Sequence, residues 1–363
     1  MVNQANGALP GTAHGSAPAA LSVLDLVAVG EGRTTREALR TSARLARLAE
    51  SRGFHRYWVA EHHSMPGIAS SSPAVILAYL AAQTTRIRLG SGGVMLPNHA
   101  PLVIAEQFNT LEAMAPGRVD LGLGRATGTD QLTARALRRT SGPATGDAFP
   151  AEVAELIGFL TDGFPDGHPY RRVHAVPGPV QGPSGGQPAV WLLGSSGFSA
   201  QLAGRLGLPF AFAHHFAAHN TIPALELYRG SFRPSPLLPE PYAVVGVFTF
   251  AAETEEKARE QALTGALTTA RFRSGRPALV PTPEEARSHV FSAFEHEILG
   301  GWLDHAVYGT PDAVRDQLDA LQKRTAADEL MLATNAHGLE ERLTSLSLIA
   351  DSYGLPSAGT APA

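Results

Sequence analysis

Arg86 to Gly124 reads RIRLGSGGVMLPNHAPLVIAEQFNTLEAMAPGRVDLGLG, and the fold turns on how this stretch is divided. Residues 86–96 are a short apolar run broken by small residues, which suits a buried strand leaving the core. Pro101 fits the first turn of a helix, and PLVIAEQFNTLEAM carries apolar residues at helical spacing as far as Met114. RVDLGLG then returns as another short strand. Strand, helix and strand in that order form the unit of a parallel sheet.

The same alternation continues in both directions. Upstream lie the strand LSVLDLVAV (21–29), the helix TTREALRTSARLARLAESRG (34–53) and the strand RYWVA (56–60). In that helix Thr34 is placed to cap, Glu37 stands three residues on, and Gly53 terminates. Downstream come the strands AVWLLG (189–194), PFAFA (209–213), YAVVGVFTF (242–250) and ELMLATN (329–335). Eight such units predict a (β/α)8 TIM barrel with insertions, in preference to an open doubly wound sheet. The expected organisation is a disordered tail over 1–20, one barrel over 21–354 and a disordered tail over 355–363. Thr161–Pro188, rich in Gly and Pro, suggests a small hairpin excursion. A mobile lid is expected at about 271–304, because loops of that length serve function.

Composition narrows the class. The 363 residues are 44% hydrophobic with a net charge of −4, which leaves no electrostatic footprint for nucleic acid or an anionic membrane. No cysteine is present, so disulfides, thiolate metal sites and a cysteine nucleophile are excluded. The first twenty residues lack a basic start and an apolar run, and no stretch is long enough to span a bilayer. A cytoplasmic protein is expected.

Parallel barrels do chemistry at the carboxyl ends of their strands. That rule selects Glu61, His62 and His63 after the second strand, and Gly92 and Gly93 after the third. It selects Gly124 and Arg125 after the fourth, Gly194, Ser195, Ser196 and Gly197 after the fifth, and His214 and His215 after the sixth. Alternation puts Glu61 and His63 on one face and His62 on the other. Without a His-x-His strand pair or an HExxH helix, no metal site is expected. His62 reads either as a proton donor or acceptor near neutral pH, or as a histidine bonded to a strand-end carbonyl. GSSG opening a helix offers backbone N–H groups and hydroxyls to a phosphate, with Arg125 as counter-charge, and it reads equally as ordinary capping. The paired glycines admit either a tight exit or a flat ligand against the backbone. His214 and His215 are structural or line a substrate pocket.

GFHRYWVAEHH, RLGSGGVMLPNHAPLVIAEQFNTLEAMAPGRVDLGLGR and PAVWLLGSSGFSAQLAGRLGLPFAFAHHF, in this order and spacing, resemble the bacterial luciferase-like, flavin-dependent monooxygenases. The likeness extends to single-chain oxidoreductases of the kind that tailor aromatic polyketides. It implies a two-component enzyme using reduced FMN from a separate flavin reductase, with oxygen delivered to a small organic substrate through a flavin peroxide. His62 matches the family's active-site histidine, and Gly92–Gly93 its non-proline cis peptide beside the ring. Arg125 matches the arginine on the FMN phosphate, and Ser195, Ser196 and Ser199 the phosphate turn, with Gly197 between them. Glu61, His63, His214 and His215 are then expected in the substrate pocket. Light-emitting members carry cysteine where this chain has Gly124, so open space is expected there. The resemblance also implies a homodimer through the helices around 72–83 and 103–115. Two alternatives remain: a deazaflavin-dependent hydride-transfer enzyme on the same fold, and a flavin-storing barrel without catalysis.

Overall fold

The computed structural model describes residues 10–137, 148–181 and 186–356. Its strands are β1 (Ala20–Asp25), β2 (Arg56–Val59), β3 (Arg88–Met95), β4 (Val119–Gly124), β5 (Ala189–Gly194), β6 (Phe210–Ala213), β7 (Ala243–Ala251), β8 (Val307–Gly309) and β9 (Glu329–Ala333). They run β6-β5-β4-β3-β2-β1-β9-β7, and β6 pairs back to β7 to close the ring. Every pairing is parallel. Eight strands closed in this way with helices outside are the expected (β/α)8 barrel. The ninth, β8, stands outside the closure and pairs only with the far end of β7, Thr249 to Ala251.

Local rules place the helices. Thr34 and Glu37 form the capping box of helix Thr35–Ser51, and Gly53 leaves it at φ +71°, where a side chain would be strained. Pro73, Pro101 and Pro311 each open a helix, where a missing N–H costs nothing. Glu50, near the end of the first helix, accepts the backbone N–H groups of Thr85, Arg86 and Ile87 at 2.8, 2.6 and 3.0 Å and thereby sets the entry to β3.

The amino end of the barrel interior is filled by charge rather than by aliphatic layers alone. Arg56, fully buried, places Nε and Nη2 2.8 and 2.9 Å from the two oxygens of Glu329, and Nη1 2.8 Å from Asp120. Asp120 also accepts Arg88 Nη2 at 2.6 Å and the indole N–H of Trp58 at 3.0 Å. Tyr242 donates to Glu329 at 2.8 Å, and the guanidinium lies 4.6 Å from the Trp191 ring centroid. Two cations thus meet two carboxylates, each hydrogen-bonded, which is the condition under which buried charge is tolerated. Burial alone would raise Asp120, but Arg88 and Arg56 hold its carboxyl well below the usual range.

Several expectations need correction. Residues 10–20 are not a loose tail: Gly11 N donates to Tyr242 OH and Ser16 N to Tyr353 O, both at 2.8 Å, and Ala20 begins β1. This segment covers the barrel's amino end; residues 1–9 lie outside the described residues. Leu355 is buried, with its N–H on Ala350 O at 2.8 Å, so the fold runs past 354, and 357–363 lie outside the described residues. No hairpin forms among the described residues of 161–188, where Phe159, Phe164, His168 and Tyr170 gather into an aromatic cluster instead. The expected lid is two helices, Pro283–Ser288 and Ala293–Leu303, each with a serine or threonine cap. Arg271–Glu285 and Arg276–Glu295 ion pairs at 2.5 and 3.1 Å tie them to the preceding chain. No helix among the described residues is long and apolar enough to cross a membrane.

Replacing Arg56 with methionine leaves Glu329 without its guanidinium in a dry site. The unfolding free energy by urea denaturation is expected to fall by about 3–5 kcal/mol. A loss below 1 kcal/mol would mean that the charged layer does not hold the ring together.

Candidate active site

At the opposite, carboxyl end of the strands a 210 Å3 cavity opens. Its floor is apolar, built from Leu24, Trp58 and Met331 above the charged layer. Gly92 and Gly93 enter from β3 joined by a cis peptide bond, at the point where the β3–β4 register shifts between Ser91 and Val94. Both must be glycine for lack of room. A Cβ on Gly92 would lie 2.7 Å from Leu24 Cδ1 and 3.1 Å from Trp58, and one on Gly93 2.8 Å from the Gly122 carbonyl. The result is a patch of bare backbone facing the cavity.

On the same side of the ring, beyond β4, β5 runs through Gly194, Ser195 and Ser196 into helix Gly197–Leu206. Ser196 is the N-cap residue but its hydroxyl makes no capping bond, so the first N–H groups of the helix and the hydroxyl are both left for a ligand. Ser199 is buried one turn in, and it fills the space a Cβ on Gly194 would need, at 2.8 Å. Arg125, leaving β4, makes no ion pair among the described residues; its guanidinium sits 4.3 Å from the ring centroid of Phe198. Asn220 Nδ2 donates to the Ser195 carbonyl at 3.4 Å. A cation, free hydroxyls and an open helix start together suit a phosphate.

His62 lines the same cavity. Its backbone N–H is held by Ser70 O at 2.9 Å, while its side-chain Nδ1 is buried without a partner among the described residues. Burial pulls its pKa down to about 4, against the nearby Glu61 charge and helped by His215 and His63. The imidazole is therefore neutral at pH 7, with one nitrogen to donate and one to accept, rather than titrating near neutrality as expected. His215 lines the cavity too, with Nδ1 on the Gly246 carbonyl at 2.8 Å; burial likewise takes it to about 4.

Glu61 and His63 do not line the cavity, contrary to expectation. Glu61 is fully buried beside it and accepts His63 Nε2 and His99 Nε2 at 2.8 Å each, and the Met95 N–H at 3.0 Å. Burial alone would raise its pKa, but the hydrogen bond from His99 leads those that lower it. The three side chains bring one donor atom each to within 4.8 Å of one another. As oriented they form a carboxylate–histidine clamp that joins the ends of β2 and β3 beside His62. Gly124 is present at the cavity as expected, but it does not open space: a Cβ there would meet Met95 Sδ at 2.8 Å. His214 turns into a neighbouring cavity, with Nδ1 2.7 Å from Thr221 Oγ1. Gly197 starts the helix without lining the cavity.

The family model for luciferase-like monooxygenases matches residues 20–328. The chain belongs to that family. As a luciferase-like monooxygenase it is 49% identical over 331 residues to the uncharacterized protein YvbT of Bacillus subtilis (strain 168), covering 91% of this chain and 96% of that one. It is 46% identical over 333 residues to a luciferase-like monooxygenase of Escherichia coli (strain K12), covering 92% and 96%. The crystal structure of apo-MsnO8 superposes on 93% of the chain and 99% of its own with a TM-score of 0.81 at 35% identity. The chain is a flavin-dependent monooxygenase, and the residues around the cavity fit a phosphate-tailed flat cofactor of the flavin type.

The sequence alone missed the cavity's apolar floor, Phe198 beneath Arg125, Asn220, and His99, which completes the clamp from 38 positions beyond Glu61. A histidine after a Leu-Pro-Asn turn carried no periodic signal that could have linked it to Glu61.

Four histidines, the buried His214 and the partly buried His55, His62 and His215, have pKa values of about 4 through desolvation. Their unfolded values lie higher, so between pH 4 and 6.5 the unfolded chain binds more protons and stability rises with pH. Each contributes a slope of about 1.4 kcal/mol per pH unit in that window. Denaturation midpoints are expected to climb from pH 4.5 to 6.5 and level off above, and His215→Asn should make the climb shallower by about one proton. A flat profile would contradict the neutral assignment.

Proposed function

We propose that the protein is the oxygenating component of a two-component system, taking reduced FMN from a separate flavin reductase and oxygenating a small organic substrate with dioxygen. The observation that carries this reading is the meeting, at one cavity, of the bare Gly92–Gly93 backbone and the unused helix start at Ser196. Reduced flavin, when bound, supplies the electrons that activate dioxygen.

The chain's own residues do the rest. The open N–H groups of the helix start, the hydroxyls of Ser195, Ser196 and Ser199, and the Arg125 guanidinium would grip the phosphate, with Phe198 holding the arginine in place. Gly92 and Gly93 give the ring a face with no side chain between. Leu24, Trp58 and Met331 exclude water from beneath it. His62, neutral and with an unpaired Nδ1, holds or passes a proton at the reacting edge. The clamp of Glu61, His63 and His99 fixes the strand end from which His62 projects.

Anaerobic titration with photoreduced FMN, followed by quenching of tryptophan fluorescence, tests the reading. Saturable binding is expected, and Arg125→Met should weaken it by about 10-fold or more through one lost charge-assisted contact. His62→Ala should keep that affinity while abolishing oxygen transfer. Preference for a reduced deazaflavin over reduced FMN would favour hydride transfer instead, and reduced FMN held without any oxygen consumption would favour storage.

A homodimer is part of the same proposal. Helices Pro73–Ala81 and Pro101–Met114 present Val75, Tyr79, Val103 and Met114 outward, and Val75 is 70% exposed. Apolar residues grouped on two adjacent helices suit a partner. Light scattering should give twice the chain mass at micromolar concentration, and the double substitution Val75→Asp, Val103→Asp should give the monomer.

A further inference from the structure

A second cavity of 390 Å3 lies beside the first, roofed by helix Ala293–Leu303. The two share His215 and Phe216 as a common wall. The flavin reading assigns nothing to it, and its chemistry is different. Phe248, Phe294 and Trp302 supply aromatic surface, with Phe248 and Trp302 rings 5.3 Å apart. The Trp302 indole N–H is buried and has no acceptor among the described residues. At the rim stands Arg273, which makes no ion pair among the described residues and is the cavity's one permanent cation. Glu297 also lines the rim, yet it is not within ion-pair distance of Arg273. Of the histidines, His214 is neutral through burial, with a pKa of about 4.

We propose that this cavity is the substrate site and that it selects an aromatic organic acid. The ring would lie among Phe248, Phe294 and Trp302, the acid group would reach Arg273, and the far end would pass His215 and Phe216 into the cavity assigned to the flavin. The size suits a one- or two-ring molecule. The inference rests on the flavin reading for its direction, since the reacting end must face the first cavity.

The glycines of the roof helix allow a clean test. A Cβ on Gly301 meets nothing within 4 Å, although Gly301 lines the cavity, so Gly301→Trp should fill the cavity without disturbing the fold. The probes are 1-anilinonaphthalene-8-sulfonate and its uncharged analogue N-phenyl-1-naphthylamine, read by fluorescence. Both should bind wild-type protein at one site per chain, and saturating FMN should leave both bound. Arg273→Met should weaken the sulfonate by about 10-fold or more and leave the neutral probe unchanged. Glu297→Gln should tighten the sulfonate alone, and Gly301→Trp should abolish both. Reduced FMN titrations of the same variants should match wild type. Sulfonate binding that survives Gly301→Trp, ignores Arg273→Met or is displaced by FMN would overturn the proposal. Failure of reduced FMN to bind wild type would instead overturn the flavin reading, leaving the probe result to stand by itself.

Discussion

Everything at the working end of this barrel depends on how Arg56 is satisfied at the other. An eight-stranded barrel must be filled, and here the amino half is filled by one guanidinium held between Glu329 and Asp120 and lying close to Trp191. The partners come from β2, β4 and β9, so the contact acts across the ring and not along it. Trp58 joins this layer to the one above: its N–H reaches Asp120 while its ring forms part of the cavity floor. Shape at the cofactor site is thereby anchored to the electrostatics of the layer directly below. The desolvation of the four charged groups is offset only because each has its bonds made.

Above that layer the strand ends divide the work. Those of β3, β4 and β5 offer little but backbone, small hydroxyls and one arginine, which is what a rigid cofactor with a charged tail requires. Those of β2 and β6 carry histidines, of which His62, His214 and His215 are kept neutral by burial. His215 and Phe216 line both cavities, so the two chambers share one aromatic wall.

Much of this was legible in the residues themselves. Strand-end serines and histidines are visible because such types are rare inside a core; the closed barrel followed from the spacing of its units, and the choice of His62, Gly92, Gly93, Arg125, Ser195 and Ser196 from their places at strand ends, while Ser199 came only with the family resemblance. What stayed hidden was hidden for physical reasons. Leu24, Trp58 and Met331 look like any buried strand residues, because lining a cavity and packing a core make the same demand on a side chain. Gly124 appeared to leave room, but Met95, from the neighbouring strand, takes it. Glu61 and His63 were placed on the correct face and given the wrong neighbour, since nothing local announces His99. The helices within 271–304 escaped notice because short capped helices with polar surfaces lack a strong apolar period.

The strand β8 has a consequence for how such proteins diversify. It hangs from the overshoot of β7 and takes no part in closing the ring, so it and the helices Pro283–Ser288 and Ala293–Leu303 before it are additions to a finished cylinder. Insertions, deletions or wholesale exchange there would reshape the outer chamber while the inner one kept its form. One ancestral vessel could in this way have been fitted with many mouths.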